Sequence, residues 1–104
     1  MVILSYADIE QHLQSLQGWS LNSYDTGAHA HNAICKQFTF AGFPEAVAFV
    51  GHLVPEAEQA DHHPDISINY KRVTLSYSTH SQGGVTLKDI EGARMADRKA
   101  HELL

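Results

Sequence analysis

Apolar and polar positions along this chain follow two periods, and the switches between them mark its elements. Ile9, Leu13 and Leu16 recur at helical spacing behind Ser5 and Asp8, which resemble an N-cap and a first-turn acid. The pattern predicts a helix over 6–16, with Gly18 ending it. Trp19, Leu21 and Ser23 then fall on one side of a short strand over 19–24. Between 29 and 41, Ile34, Phe38 and Phe40 share one parity with Lys36 between them. That predicts a second strand and, with turn formers at 22–27, an antiparallel hairpin.

Gly42-Phe43-Pro44 breaks the strand and opens a helix with proline near its first position. Phe43, Ala46, Val47, Phe49, Val50, Leu53, Val54 and Ala57 give it an apolar face wide enough to lie on a sheet. Pro55 removes one helical hydrogen bond and is expected to bend it. The expected span is 44–62, because Pro64 pushes His63 out of helical geometry. Alternation returns in Ile66, Ile68 and Tyr70, and again in Val73, Leu75, Tyr77 and Thr79, a second hairpin turned at 70–72. After the loop at Gly83-Gly84, Thr86 caps a last helix with Asp89 three residues on. Ile90, Ala93, Ala96, Ala100 and Leu103 or Leu104 form its apolar stripe.

The order α-β-β-α-β-β-α predicts an α+β fold: a four-stranded antiparallel sheet with three helices on one face. The 104 residues are expected to form a single domain over 1–104. Trp19, Phe38, Phe40, Phe43 and Phe49 are expected in the core. The other sheet face, or an exposed sheet edge, is where subunits are expected to meet.

Composition changes the picture only by exclusion. A hydrophobic share of 43% leaves no case for disorder. Twelve acidic residues against seven basic ones, a formal charge of -5, disfavour nucleic acid and anionic membrane surfaces as partners. No apolar run approaches the ~20 residues of a membrane span. The first residues lack a basic stretch and meet Asp8 too early for a signal peptide. The lone Cys35 allows no internal disulfide and reads as a small packed residue. These features point to a soluble, cytoplasmic protein.

The candidate chemistry lies between 58 and 80. Three of the eight histidines fall there, in Asp61-His62-His63-Pro64 at a helix end and Ser78-Thr79-His80 at a strand end. An imidazole titrates at about pH 6.5 and can give or take a proton near neutrality. Element ends let a side chain reach a ligand while the scaffold holds its backbone. Glu58 and His62, four apart, are expected to share a helix face, and Pro64 frees His63 to turn towards the same cleft. His80 closes the group if the last strand runs beside the helix end. Proton transfer is one reading. A zinc site of three imidazoles and a carboxylate is a weaker one, because adjacent histidines rarely aim at one ion. Asp89 reads equally well as the N3 acid of the last helix.

Glu58, three residues, His62-His63-Pro64, five residues, Tyr70, nine residues, His80, eight residues, Asp89: this spacing resembles the signature of the pterin-4a-carbinolamine dehydratases. Gly18-Trp19, Ile34-Cys35-Lys36-Gln37-Phe38-Thr39-Phe40 and Ser78-Thr79-His80 agree with it. Ile66 departs, standing near where an aromatic often follows the His-His-Pro segment. The resemblance implies an α+β sandwich that dehydrates 4a-hydroxytetrahydropterin to quinonoid dihydropterin, recycling the pterin after aromatic amino-acid hydroxylation. It implies no metal or redox cofactor, a homodimer or homotetramer, and functional coupling to an aromatic amino-acid hydroxylase. By resemblance, His62 and His80 transfer protons and His63 binds substrate, so all three count as catalytic. Asp61, Ser78 and Thr79 contact the ligand, and Glu58 and Asp89 give support. The alternative is a non-catalytic pterin-binding, dimerisation or regulatory module.

Overall fold

The computed structural model describes residues 2–25 and 30–103. The predicted hairpin turn and the start of its second strand lie partly outside them, as does Leu104. The element order is α1 (Tyr6–Leu13), β1 (Ser20–Asp25), β2 (Ala30–Thr39), α2 (Phe43–Ala60), β3 (Asp65–Asn69), β4 (Arg72–Tyr77) and α3 (Leu87–Leu103). The sheet runs β1-β2-β4-β3 with every neighbour antiparallel. This is the expected α+β fold, with two hairpins zipped together along β2 and β4.

One parity of each central strand faces the helices. Ile34, Phe38, Val73, Leu75 and Tyr77 meet Ile9 and Leu16, Phe49 and Leu53, and Ile90, Ala93, Ala96 and Ala100 in one buried core. Removing that apolar area from water is the main term holding the layers together. Phe49 sits 4.9 Å, centroid to centroid, from both Phe38 and Phe40. Lys36 shares the inward parity. It reaches past the core to Asp97 on α3 at 2.9 Å, and the same carboxylate accepts from Trp19 Nε1 at 3.1 Å. Trp19 is accordingly a core residue with one polar tether.

Two helix ends differ from the sequence expectation, each for a local reason. Ser5 caps α1 as expected, its hydroxyl accepting from the Asp8 N–H at 3.1 Å. The helix stops at Leu13, not 16. The chain then tightens through i→i+3 bonds at Ser15, Leu16 and Trp19, and the Ser15 hydroxyl competes for the His12 carbonyl. Helix α2 runs through Pro55 undivided, and both Pro55 and Gly51, whose carbonyl loses its partner there, face solvent. It ends at Ala60, not His62. Asp61 takes a left-handed conformation, φ 50°, with Asp61 N–H bonded to Glu58 O and His62 N–H to Ala57 O. These are the two bonds of a Schellman closure, with aspartate where glycine is usual.

The broad apolar face of α2 splits in two. Ala46, Phe49, Leu53 and Ala57 are buried, whereas Phe43, Val47 and Val54 are 52%, 44% and 53% exposed. Phe43 is therefore not a core residue. Edge strand β3 shows the same excess: Ile66 and Ile68 lie half-exposed on the sheet rim.

Candidate active site

The head of α3 organises the site. Thr86 precedes its first turn, and Asp89 turns back so that Oδ2 accepts from the Thr86 N–H at 2.8 Å. The Thr86 hydroxyl accepts from the Lys88 N–H at 3.3 Å. This is the capping arrangement expected from the Thr86–Asp89 spacing. The carboxylate does more than cap. It is fully buried, and Oδ2 also accepts from Thr79 Oγ1 at 2.8 Å. Thr79 Oγ1 and Thr86 Oγ1 lie 2.7 Å apart. A hydroxyl has one proton to give, so with Thr79 donating to Asp89, Thr86 must donate to Thr79. A short donor chain thus runs from α3's cap, through the tip of β4, into Asp89.

His62 meets the other oxygen. Its Nε2 lies 2.6 Å from Asp89 Oδ1. A carboxylate only accepts, so Nε2 carries the proton in this pair and Nδ1 is left to face a ligand. In the neutral imidazole Nδ1 is a base; in the charged one it is an acid. The Asp61 turn places His62 here by lifting it off the α2 axis. The imidazole also stacks on Tyr77, ring centroids 6.1 Å apart at 26°.

His62 and Tyr77 line a cavity of about 380 Å³ between α2 and α3. Ala57, Ala60, Leu87 and Met95 supply apolar wall, and Glu56, Lys88, Glu91 and Arg98 supply charge. Apolar walls with a few convergent polar groups are what a flat heterocycle requires. Tyr77 is 1% exposed, and burial, with the Asp89 charge as a smaller cause, pushes its phenol well above its ordinary 10.0.

The other candidates fall elsewhere. His63 pairs with Glu58, Nε2 to Oε2 at 2.5 Å, with both side chains largely exposed. These two border a second hollow of about 160 Å³ with Val50, Leu53, Val54, Pro64 and Ile66. Glu58 therefore partners His63 rather than His62, because the helix ends before His62 can share its face. Ala57 lies on both hollows, so the two histidines flank one helix end instead of filling one cleft. His80 is exposed in the turn that follows Thr79, closed by the Thr79–Gly84 bridge. Its neighbour Thr79 is the residue that donates to Asp89. Ser78 is buried and donates to the Asn32 carbonyl at 2.8 Å. Asp61 is exposed and shapes the turn. Among the described residues no three His, Cys, Asp or Glu side chains gather as a metal set.

Sequence reasoning passed over Tyr77, Thr86's hydroxyl and Gly92. Tyr77 looked like one more apolar residue of an alternating strand. Gly92, inside a helix with no turn to make, was a signal of close packing that went unused.

With this geometry in hand, comparison with known proteins is specific. The sequence model described as pterin 4 alpha carbinolamine dehydratase matches residues 3–99. The chain is 43% identical over 97 residues, 93% of its length and 94% of the relative's, to a Thermosynechococcus vestitus protein named "Putative pterin-4-alpha-carbinolamine dehydratase". A Sulfolobus acidocaldarius protein of the same name is 41% identical over 88% of this chain and 91% of its own. The crystal structure of a "transcriptional coactivator/pterin dehydratase" from Brucella melitensis superposes with a TM-score of 0.81 at 33% identity, covering 95% of this chain and 99% of that one. A pterin dehydratase-like RuBisCO assembly factor of the alpha-carboxysome shares the fold at TM-score 0.60 and 18% identity, covering 78% and 89%.

Proposed function

Because this chain belongs to the pterin-4a-carbinolamine dehydratase family, we propose that it dehydrates 4a-hydroxytetrahydropterin to quinonoid dihydropterin by histidine acid–base catalysis. The observation that carries this reading is His62, held by a buried carboxylate and lining a cavity sized for a bicyclic ring. In the reaction the C4a–O bond breaks, a proton joins the departing hydroxide to give water, and the adjacent ring nitrogen loses its proton. Oxidation states do not change, so no redox cofactor is required. Each positioned acid or base contributes roughly 10²–10⁴ in rate. In this reading Asp89 fixes the His62 tautomer and aims Nδ1 at the substrate, and His80 is the second proton-transfer group. His63 binds, steadied by Glu58. Asp61 and the Thr79 segment meet the polar edge of the pterin, and Ser78 acts by fixing that segment's backbone.

This activity recycles a pterin cofactor in the cytoplasm, coupled to an aromatic amino-acid hydroxylase. The exposed stripe of α2 and the rim of β3 support a homodimer or homotetramer. A non-catalytic pterin-binding or regulatory role is the second reading, favoured by the Brucella relative's description as a transcriptional coactivator. Generated carbinolamine, with dihydropterin absorbance as readout, separates the two. Turnover is expected in the native protein, lowered roughly tenfold or more by His62→Ala or His80→Ala. Full turnover in both folded variants would sink the histidine assignment; pterin binding without turnover would select the second reading.

A further inference from the structure

We propose that Tyr77, seated by Gly92, is a positioning residue that sets the plane of the His62 imidazole. The inference rests on the reading of His62 as the proton-transfer group and deepens it.

One hydrogen bond fixes a point, not a plane. With Nε2 anchored 2.6 Å from Asp89, the imidazole can still swing about that contact and carry Nδ1 away from the cavity. A flat ring laid against it removes the swing. Tyr77 supplies that ring, stacked at 26° on His62, and it is itself immobilised: it is 1% exposed, with Trp19's ring centroid 6.0 Å from its own.

Gly92 makes room for it. A Cβ at position 92 would lie 2.5 Å from Tyr77 Cε1 and 2.9 Å from both Cδ1 and Cζ. These are atoms of a rigid ring, so a side chain there must displace it. Gly92 is not among the residues with positive φ, so its own backbone does not call for glycine. Glycine inside a helix costs about 1 kcal/mol against alanine. The close approach of the Tyr77 ring is what that cost sustains. The Tyr77 hydroxyl has no hydrogen-bond partner among the described residues, so packing rather than hydrogen bonding holds the ring.

The test reads the mobility of the His62 ring by ¹³C relaxation of its Cδ2 and Cε1 on the full chain, without substrate, beside turnover. The native ring is expected to be as rigid as the backbone around it. Gly92→Ala and Tyr77→Leu are expected to free the ring while the Asp89 contact persists, with turnover down roughly tenfold or more. Tyr77→Phe, which keeps the ring, is expected to restore native rigidity. A folded Gly92→Ala or Tyr77→Leu protein whose His62 ring is as rigid as the native one overturns the proposal. So does a Tyr77→Phe protein whose His62 ring is as mobile as in Tyr77→Leu, because the hydroxyl would then be the cause. Should Gly92→Ala fail to fold, Tyr77→Leu decides. A ring freed as expected in a chain without dehydratase activity would remove the proposed function and leave the positioning role standing.

Discussion

Residues that look interchangeable in the sequence are separated by their surroundings. Three histidines share one short stretch, yet His62 meets a buried carboxylate, while His63 meets a solvated Glu58. That difference was not legible, because it depends on Asp89, 27 positions away. The capping role of Asp89 was legible, since it needs only the spacing to Thr86. Tyr77 gives a pH dependence at this scale. Its phenol is raised in the fold above the ordinary 10.0 of an unfolded chain. Below that pH both states hold the proton and stability is intact. Above it the unfolded chain releases the proton while the fold retains it, so stability falls by about 1.4 kcal/mol per pH unit. Urea unfolding across that alkaline window is expected to show this extra loss in the native protein and not in Tyr77→Phe. Parallel curves for the two would contradict it.

At the scale of elements, the closure of α2 decides where His62 stands. The sequence carried a stop signal in Pro64 but no glycine, so the helix was extended two residues too far and His62 was placed on it. Asp61 occupies the left-handed position at a steric cost that glycine would not bear. Asp61→Gly is expected to raise stability by roughly 0.5–1 kcal/mol, read from thermal or urea unfolding, while keeping the closure. The same variant tests the proposed contact between Asp61 and the pterin: KM is expected to rise even as stability increases. An unchanged KM would reduce Asp61 to a turn residue. Elsewhere, periodicity located every element, because alternation and helical spacing are local properties. It overran the end of α1 by three residues, where Ser15 competes for a backbone carbonyl.

For the molecule as a whole, fold class followed from the order of elements, whereas strand order did not. Nothing local says that β2 pairs with β4 and leaves β3 at the rim. That pairing turns Ile66 and Ile68 into an exposed margin beside the outer stripe of α2. If a second copy covers these residues, light scattering should give a mass at least twice the 11.5 kDa chain. Val54→Glu with Ile66→Lys should then lower that mass while preserving the circular dichroism of the fold. A monomeric native protein would refute the proposed assembly. The core also holds an optical gauge. The chain's single tryptophan sits one ring from Tyr77, which sits one ring from His62. Tyr77 lines the cavity, so this emission originates one ring behind its wall, and the unmodified protein can signal occupancy there as a change in ultraviolet fluorescence, with no dye attached.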